Sequence, residues 1–334
     1  MDDTQLAVRN QVIELISACW QTQVAGVGVE LGIFDLLDAG KTDSASIAAA
    51  CGAAQGPVRR LLRALCSLGL AEQKGTDSFA LTPQGALLRQ EGEGSLAALA
   101  RTWAGSRFTA WSKLGESVRT GERIPGHFLS ASPDPALGIA ASKAQADRTR
   151  LAAAEIARSY DFSGVDRVLD VGGGHGTVLA AILKAHANLE GAVFELPHHE
   201  PQARAMLDAE GASRGGFIGG SFFEKVADGY DCLILKSILH DWPDEECRTI
   251  LRACAAAMPP GGRLLVVEQI LPEIADTDPE LHSAWRTDLT MLLSTGGLER
   301  TEAEFVALFA DSGLVLHEIS ANRSEFFVIE ARLA

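Results

Sequence analysis

Residues 167–187 read "RVLDVGGGHGTVLAAILKAHA". An apolar run from Val168 to Val171 gives way to glycines at 172, 173, 174 and 176, and an apolar segment then resumes with helical spacing. The pattern predicts a buried strand, a tight turn and a helix. The spacing is G-x-G-x-G. A dinucleotide fingerprint would need its last glycine at position 177, where the chain carries Thr177. Short glycine runs also form plain tight turns, so the context must decide what this one does.

That context alternates. "GAVFEL" (191–196), "YDCLILKS" (230–237), "GRLLVVEQIL" (262–271) and "EFFVIEARL" (325–333) read as strands. "EPQARAMLDAEG" (200–211), "PDEECRTILRACAAAM" (243–258) and "TEAEFVALFADSGL" (301–314) read as helices, the last opening with a capping box from Thr301 to Glu304. Strands separated by helices of this length predict an α/β fold with a parallel, doubly wound, Rossmann-like sheet. In such a sheet the ligand lies at the carboxyl ends of the strands. Glu195 ends the second strand nineteen residues past Gly176, near the spacing at which a carboxylate grips ribose hydroxyls. A nucleoside is the expected ligand. Without a well-formed pyrophosphate cradle, S-adenosylmethionine (SAM) fits better than NAD.

The first hundred residues differ in texture. "TDSASIAAACG" (42–52) predicts a helix starting at Thr42 or Ser44 and stopping at Gly52, "GPVRRLLRALCSLGL" (56–70) a second helix, and "LAEQKGTDSFALTPQG" (70–85) a small hairpin. This is the outline of a winged helix. Arg59, Arg60 and Arg63 raise a DNA-binding reading, but residues 1–100 carry seven Lys/Arg against eleven Asp/Glu. The apolar first helix, "LAVRNQVIELISACW" (6–20), fits dimerisation better. Residues 101 to about 160 read as helical. The expected organisation is therefore a winged-helix-like dimerisation domain at 1–100, a helical linker and substrate-pocket roof at 101–160, and a Rossmann-like domain at 161–334.

Composition narrows the function classes. The chain has 334 residues, 47% hydrophobic and 22% charged, and a formal charge of −15, which argues against nucleic acid or an anionic membrane as partner. Its six cysteines show neither a CxxC pair nor zinc spacing, and Cys19 and Cys66 read as small buried hydrophobes. No apolar run is long enough to span a bilayer. The expected protein is soluble and cytoplasmic.

In "LKSILHDWPDEEC" (235–247) a strand ends by presenting His240 and Asp241. Together with "VLDVGGGHGTVLAAIL", "VFELPH", "GGSFFEKV", "GRLLVVEQILPE" and "TGGLERTEAEF", this stretch resembles the small-molecule O-methyltransferases of the plant caffeate and flavonoid type. The nearer likeness is to their bacterial relatives acting on phenazines, anthracyclines, mitomycins and naphthoates. The resemblance implies a homodimer interlocked through the N-terminal domain, SAM bound in the C-terminal domain with S-adenosylhomocysteine as product, and a small aromatic acceptor. By position it implies His240 as catalytic base, flanked by Glu268 and Glu299. Gly172 and Gly174 would lie against the methionine part of SAM with Asp170 behind the turn, Glu195 would hold the ribose, Ser221 and Phe222 would sit beside the adenine, and Lys236 would lie near the cofactor. The family usually has Asp-Met where this chain has Ser221-Phe222. In "LHSAWRTDLTMLL" (281–293), Trp285, Asp288 and Met291 occupy the helix that walls the family's acceptor pocket. Asp241 contacts substrate or caps the helix at Pro243. The stretch "TGERIPGHFLSASPDP" (120–135) is shorter and poorer in aromatics than the family pattern, which points to a differently shaped pocket roof.

The residue types suit the chemistry. Methyl transfer from a sulfonium needs an aligned acceptor oxygen and a group to take its proton. A phenol, with a pKa of about 10, does not ionise freely at neutral pH, and histidine is the side chain best matched to that proton. Neighbouring carboxylates would fix its tautomer. No metal is expected: His198 and His199 read as a solvated turn. Two other classes remain open, a family member using bound SAM in hydroxylation or other non-methylating chemistry, and a winged-helix regulator of DNA.

Overall fold

The computed structural model describes residues 2–124 and 149–334, except residues 93, 151, 276, 279, 280 and 322. The part of the 120–135 stretch beyond Ile124 lies outside the described residues. The described residues form two compact units, one reaching Ser112, the other comprising 113–124 and 149–334.

In the first unit, helices Ser44–Cys51 and Gln55–Ser67 lead into a hairpin of β1 (Ala71–Gly75) and β2 (Ser78–Leu81), in the order expected. The helix starts at Ser44, one of the two expected positions, and Asp43 caps it, its carboxylate accepting from Ser46 N at 2.8 Å. Gly52 closes it in the left-handed region. Ile33, Phe34, Ile47, Leu62, Leu65 and Phe79 are buried at the centre of this unit. The apolar segment before them breaks at Ala18 into helices Asp3–Ser17 and Cys19–Glu30, and Asp3–Ser17 buries no residue. Cys19, the first residue of the second of these helices, is exposed, not buried as expected, and Cys66 is half-buried; the fully buried cysteines are Cys232, Cys247 and Cys254. No single described helix is long and apolar enough to cross a membrane.

The second unit is built on seven strands: β3 (Arg167–Val171), β4 (Glu190–Glu195), β5 (Gly215–Gly219), β6 (Cys232–Lys236), β7 (Arg263–Glu268), β10 (Leu314–Ala321) and β11 (Phe327–Leu333). Two short strands, β8 (Ile270–Leu271) and β9 (Arg300–Thr301), form a separate parallel pair. The sheet order is β10-β11-β7-β6-β3-β4-β5, with β3 to β7 parallel. The alternation of residues sorts the core to two faces. Val168, Val193, Ile234 and Val267 pack with helix Thr177–Ala185 on one face, and Leu169, Leu235, Val266 and helix Asp244–Ala257 pack on the other. Burial on both faces is why these strands read as continuous apolar runs.

The sheet is doubly wound and mostly parallel, as expected, and β11 is the exception. β11 runs antiparallel to β7 and to β10. Only residues 322–326 separate β10 from β11, far fewer than a parallel crossover requires. β5 and β10 also escaped the sequence pattern. β5 reads "GGFIG", too glycine-rich to signal a strand by itself, and it is held by pairing with β4.

Candidate active site

The glycine turn leaves β3 at the carboxyl edge of the sheet. Gly172 has φ +70°, and a Cβ there would lie 2.6 Å from Ile238 Cδ1, so both conformation and space require glycine. Gly172 N donates to Phe194 O at 2.8 Å, joining the turn to the end of β4. Gly174 N donates to Glu195 Oε2 at 3.3 Å, which puts the acidic strand end against the loop. Apart from its chain neighbours, no heavy atom of the described residues stands within 4 Å of a Cβ built on Gly174, so among them the loop opens onto free space there. Asp170 lies behind the turn, 1% exposed, and accepts weakly from Leu179 N at 3.4 Å. Burial pushes its carboxyl up to about 7. Ser221 and Phe222 follow β5. Phe222 and Phe223 pack edge-on to one another and to Trp242. Lys236 ends β6, its Nζ 3.4 Å from Thr149 Oγ1 and 4.6 Å from the centroid of the Phe326 ring. A hydrogen-bonding loop, a carboxylate at the next strand end and open space between them fit an adenosine with a charged tail.

The chain leaves β6 through Ser237, whose φ of +54° is rare for a residue with a side chain. It then forms a 3-10 turn, Leu239–Asp241, which presents His240. Glu268, at the end of the adjacent β7, is wholly buried and holds this turn from below: its Oε1 accepts from Ile238 N at 3.0 Å, Leu239 N at 2.9 Å and His240 N at 3.4 Å. Glu299 approaches from the other side, with Oε1 2.8 Å from His240 Nδ1. The Glu299 segment comes this close because of Gly297, where a Cβ would sit 2.1 Å from His240 O. Asp288, on helix His282–Ser294, accepts from Glu299 N at 3.0 Å and so fixes that segment; burial raises its pKa. Trp285 is half-buried and Met291 buried on the same helix.

Asp241 is not a helix cap. The helix begins at Asp244 with Pro243 at its N-cap and no side-chain cap bond. Asp241 Oδ1 instead lies 3.8 Å from His240 Nε2, and burial raises its pKa. Desolvation alone would lower the pKa of His240; Glu268, then Glu299 and Asp241, outweigh it and push the imidazole up to about 9. On Glu268 burial acts in the opposite sense and, against the imidazole's opposing charge, pushes the carboxyl up to about 7. Ligand-type atoms of His240, Glu268 and Glu299 fall within 4.8 Å of one another, a spacing a divalent cation could also accept. Glu268 Oε1 is already taken by three backbone N–H groups and Nδ1 by Glu299, the pattern of a base and its orienting carboxylates. His198 and His199 form a 3-10 turn with Pro197, with ring centroids 4.2 Å apart.

Two family models match the chain: an O-methyltransferase domain over residues 111–315 and an O-methyltransferase dimerisation domain over residues 13–91. The chain belongs to the O-methyltransferase family. Among curated relatives, an O-demethylpuromycin O-methyltransferase of Streptomyces alboniger is 37% identical over 92% of this chain and 84% of its own. The solved structure of a mitomycin 7-O-methyltransferase superposes with a TM-score of 0.89 at 34% identity, covering 99% of both chains. An O-methyltransferase from neocarzinostatin biosynthesis, solved with SAM and 2-hydroxy-5-methyl naphthoic acid, superposes with a TM-score of 0.76 at 31% identity over 94% of this chain and 96% of its own. The methyltransferase therefore uses SAM, as its sequence implied, and methyl transfer is favoured over the non-methylating and DNA-binding readings. One functional candidate escaped the sequence reading, Arg300. It is an ordinary charged residue by pattern, yet 1% exposed in the folded chain.

Proposed function

We propose that this methyltransferase transfers the methyl group of SAM to the hydroxyl of a small aromatic secondary metabolite, with His240 as general base. The observation that carries this reading is the 2.8 Å contact between His240 Nδ1 and Glu299 Oε1. It directs the Nδ1 N–H to Glu299 and supports Nε2, on the side of Asp241, as the nitrogen that takes the acceptor's proton in the neutral form of the ring, whose share grows as pH rises toward about 9. Glu268 holds the turn that carries the ring, and both carboxylates stabilise the imidazolium that forms. Bound SAM supplies an electrophilic methyl on its sulfonium. Gly172, Gly174, Glu195, Ser221, Phe222 and Lys236, backed by Asp170, would hold it, while Asp241, Trp285, Asp288 and Met291 would face the acceptor. Aligning the two reactants contributes on the order of 7–11 kcal/mol, and the positioned base roughly 10²–10⁴-fold.

In this reading residues 1–100 form a winged-helix-like dimerisation module and 161–334 carry the cofactor. The enzyme works as a homodimer joined through its first helix. Six free thiols suit the reducing cytoplasm. The test is methylation of a panel of phenols, naphthoates and phenazines, with SAM and S-adenosylhomocysteine binding followed by calorimetry. His240→Ala should cut turnover by roughly 10²–10⁴-fold while leaving SAM affinity nearly intact. An unchanged rate would place the base elsewhere.

A further inference from the structure

Arg300 is the largest wholly buried side chain among the described residues. A buried guanidinium must use its donors, and where it spends them is informative. Nη1 donates to Leu239 O at 3.0 Å and Leu298 O at 3.4 Å, and Nη2 to Trp242 O at 2.9 Å. Nη2 and Nε both reach Asp244 Oδ1, at 2.8 and 3.1 Å. Leu239 and Trp242 bracket His240 and Asp241, and Leu298 and Arg300 bracket Glu299. One planar group thus ties the two chain segments whose side chains meet at 2.8 Å. The backbone adds a third segment: Ile270 pairs with Arg300 and Leu271 with Thr301, which sets the end of β7, bearing Glu268, in register with Glu299. Cys247 Sγ reinforces the same two carbonyls, Leu239 O at 3.2 Å and Trp242 O at 3.3 Å.

We propose that Arg300 is a positioning residue for catalysis: its guanidinium clamps the His240 turn to the Glu299 segment and thereby sets the His240–Glu299 hydrogen bond. This rests on the reading of His240 as the base. A guanidinium presents its donors in a rigid fork; an ammonium is a point charge on a flexible stem. Arg300→Lys therefore keeps the charge and loses the clamp. That separates positioning from electrostatics, because losing a positive charge would raise the imidazole's titration midpoint, whereas loosening Glu299 lowers it.

The experiment is NMR titration of histidines labelled at Cε1, with the His240 signal identified by its loss in His240→Ala. In Arg300→Lys the His240 midpoint should fall by about one pH unit, S-adenosylhomocysteine should bind as in the wild type, and turnover on the best acceptor of the panel should drop roughly 10²-fold. Asp244→Asn, which leaves the fork and its three carbonyls in place, should move the midpoint less than Arg300→Lys does. A lower melting temperature in Arg300→Lys with the His240 midpoint unmoved would overturn the proposal and leave Arg300 a purely structural residue. Full turnover in His240→Ala would instead defeat the general-base reading, and the midpoint in Arg300→Lys would still judge the clamp.

Discussion

The turn that carries His240 and the first helix of the chain stand at opposite extremes of self-sufficiency. In the turn, Glu268 takes three backbone N–H groups, Arg300 takes the carbonyls of Leu239 and Trp242, and Glu299 takes Nδ1; these groups are met from within the same unit. Helix Asp3–Ser17 has the reverse character. Its capping box at Asp2 and Gln5 is complete, so the backbone is content, yet Leu6, Val8, Val12, Ile13, Leu15 and Ile16 all face solvent. A catalytic turn must be rigid before substrate arrives, because geometry there is rate. An apolar helix that buries nothing in its own fold has its energy still to gain, and a second copy is the commonest way to gain it.

The comparison can be broken most severely at Gly297. Gly297→Ala drives a Cβ to 2.1 Å from His240 O, so one of the two segments must move. Turnover should fall roughly 10²-fold or more, with SAM binding retained because the glycine turn and Glu195 lie elsewhere. Normal turnover would show that the turn is more compliant than its packing indicates.

The next largest effect belongs to the other region. Removing residues 1–20 should convert the dimer to monomer in light scattering, since an obligate interface buries on the order of 2,000 Å² or more. A truncated protein that remains dimeric would assign the interface to another surface.

A smaller effect concerns pH. The folded protein holds the His240 imidazole at about 9, above the ordinary value near 6.5. The native state therefore binds this proton more tightly than the unfolded chain does. The stability it contributes is fully present below about pH 6.5 and is lost as pH rises through about 9. Urea denaturation should give a stability that declines across that window, and His240→Ala should flatten the decline.

The mildest contrast is in the thiols. Burial pushes Cys247 and Cys254 up to about 12, so neither should react with a disulfide reagent in the native state. Cys19, exposed at the start of the following helix and two residues past the unpacked one, should react. Its labelling should slow at protein concentrations where the dimer forms. Equal labelling in monomer and dimer would take Cys19 out of the interface.

The sequence by itself determined the elements whose signal is local. The apolar strand before the glycine turn, the acidic end of β4, the capping box at Thr301 and Glu304, and the hairpin at 71–81 each depend on neighbours within a few residues, and each is present. The glycine spacing, with Thr177 in place of the last fingerprint glycine, already favoured SAM over a dinucleotide. What only the tertiary structure decided was non-local. β5 is too rich in glycine to declare itself and exists through its pairing with β4. The direction of β11 follows from the short link to β10 and the register on β7. Asp241 turned out to lie beside the imidazole, with Pro243 at the helix N-cap. Cys19 proved exposed at the start of helix Cys19–Glu30, whose buried residues, Gly26, Gly28 and Val29, lie toward its other end. Arg300 shows the limit most clearly: its role is set by carbonyls 58 and 61 residues away in sequence. A carbonyl is common to every residue, so no side-chain pattern in the sequence records which of them a buried guanidinium will meet.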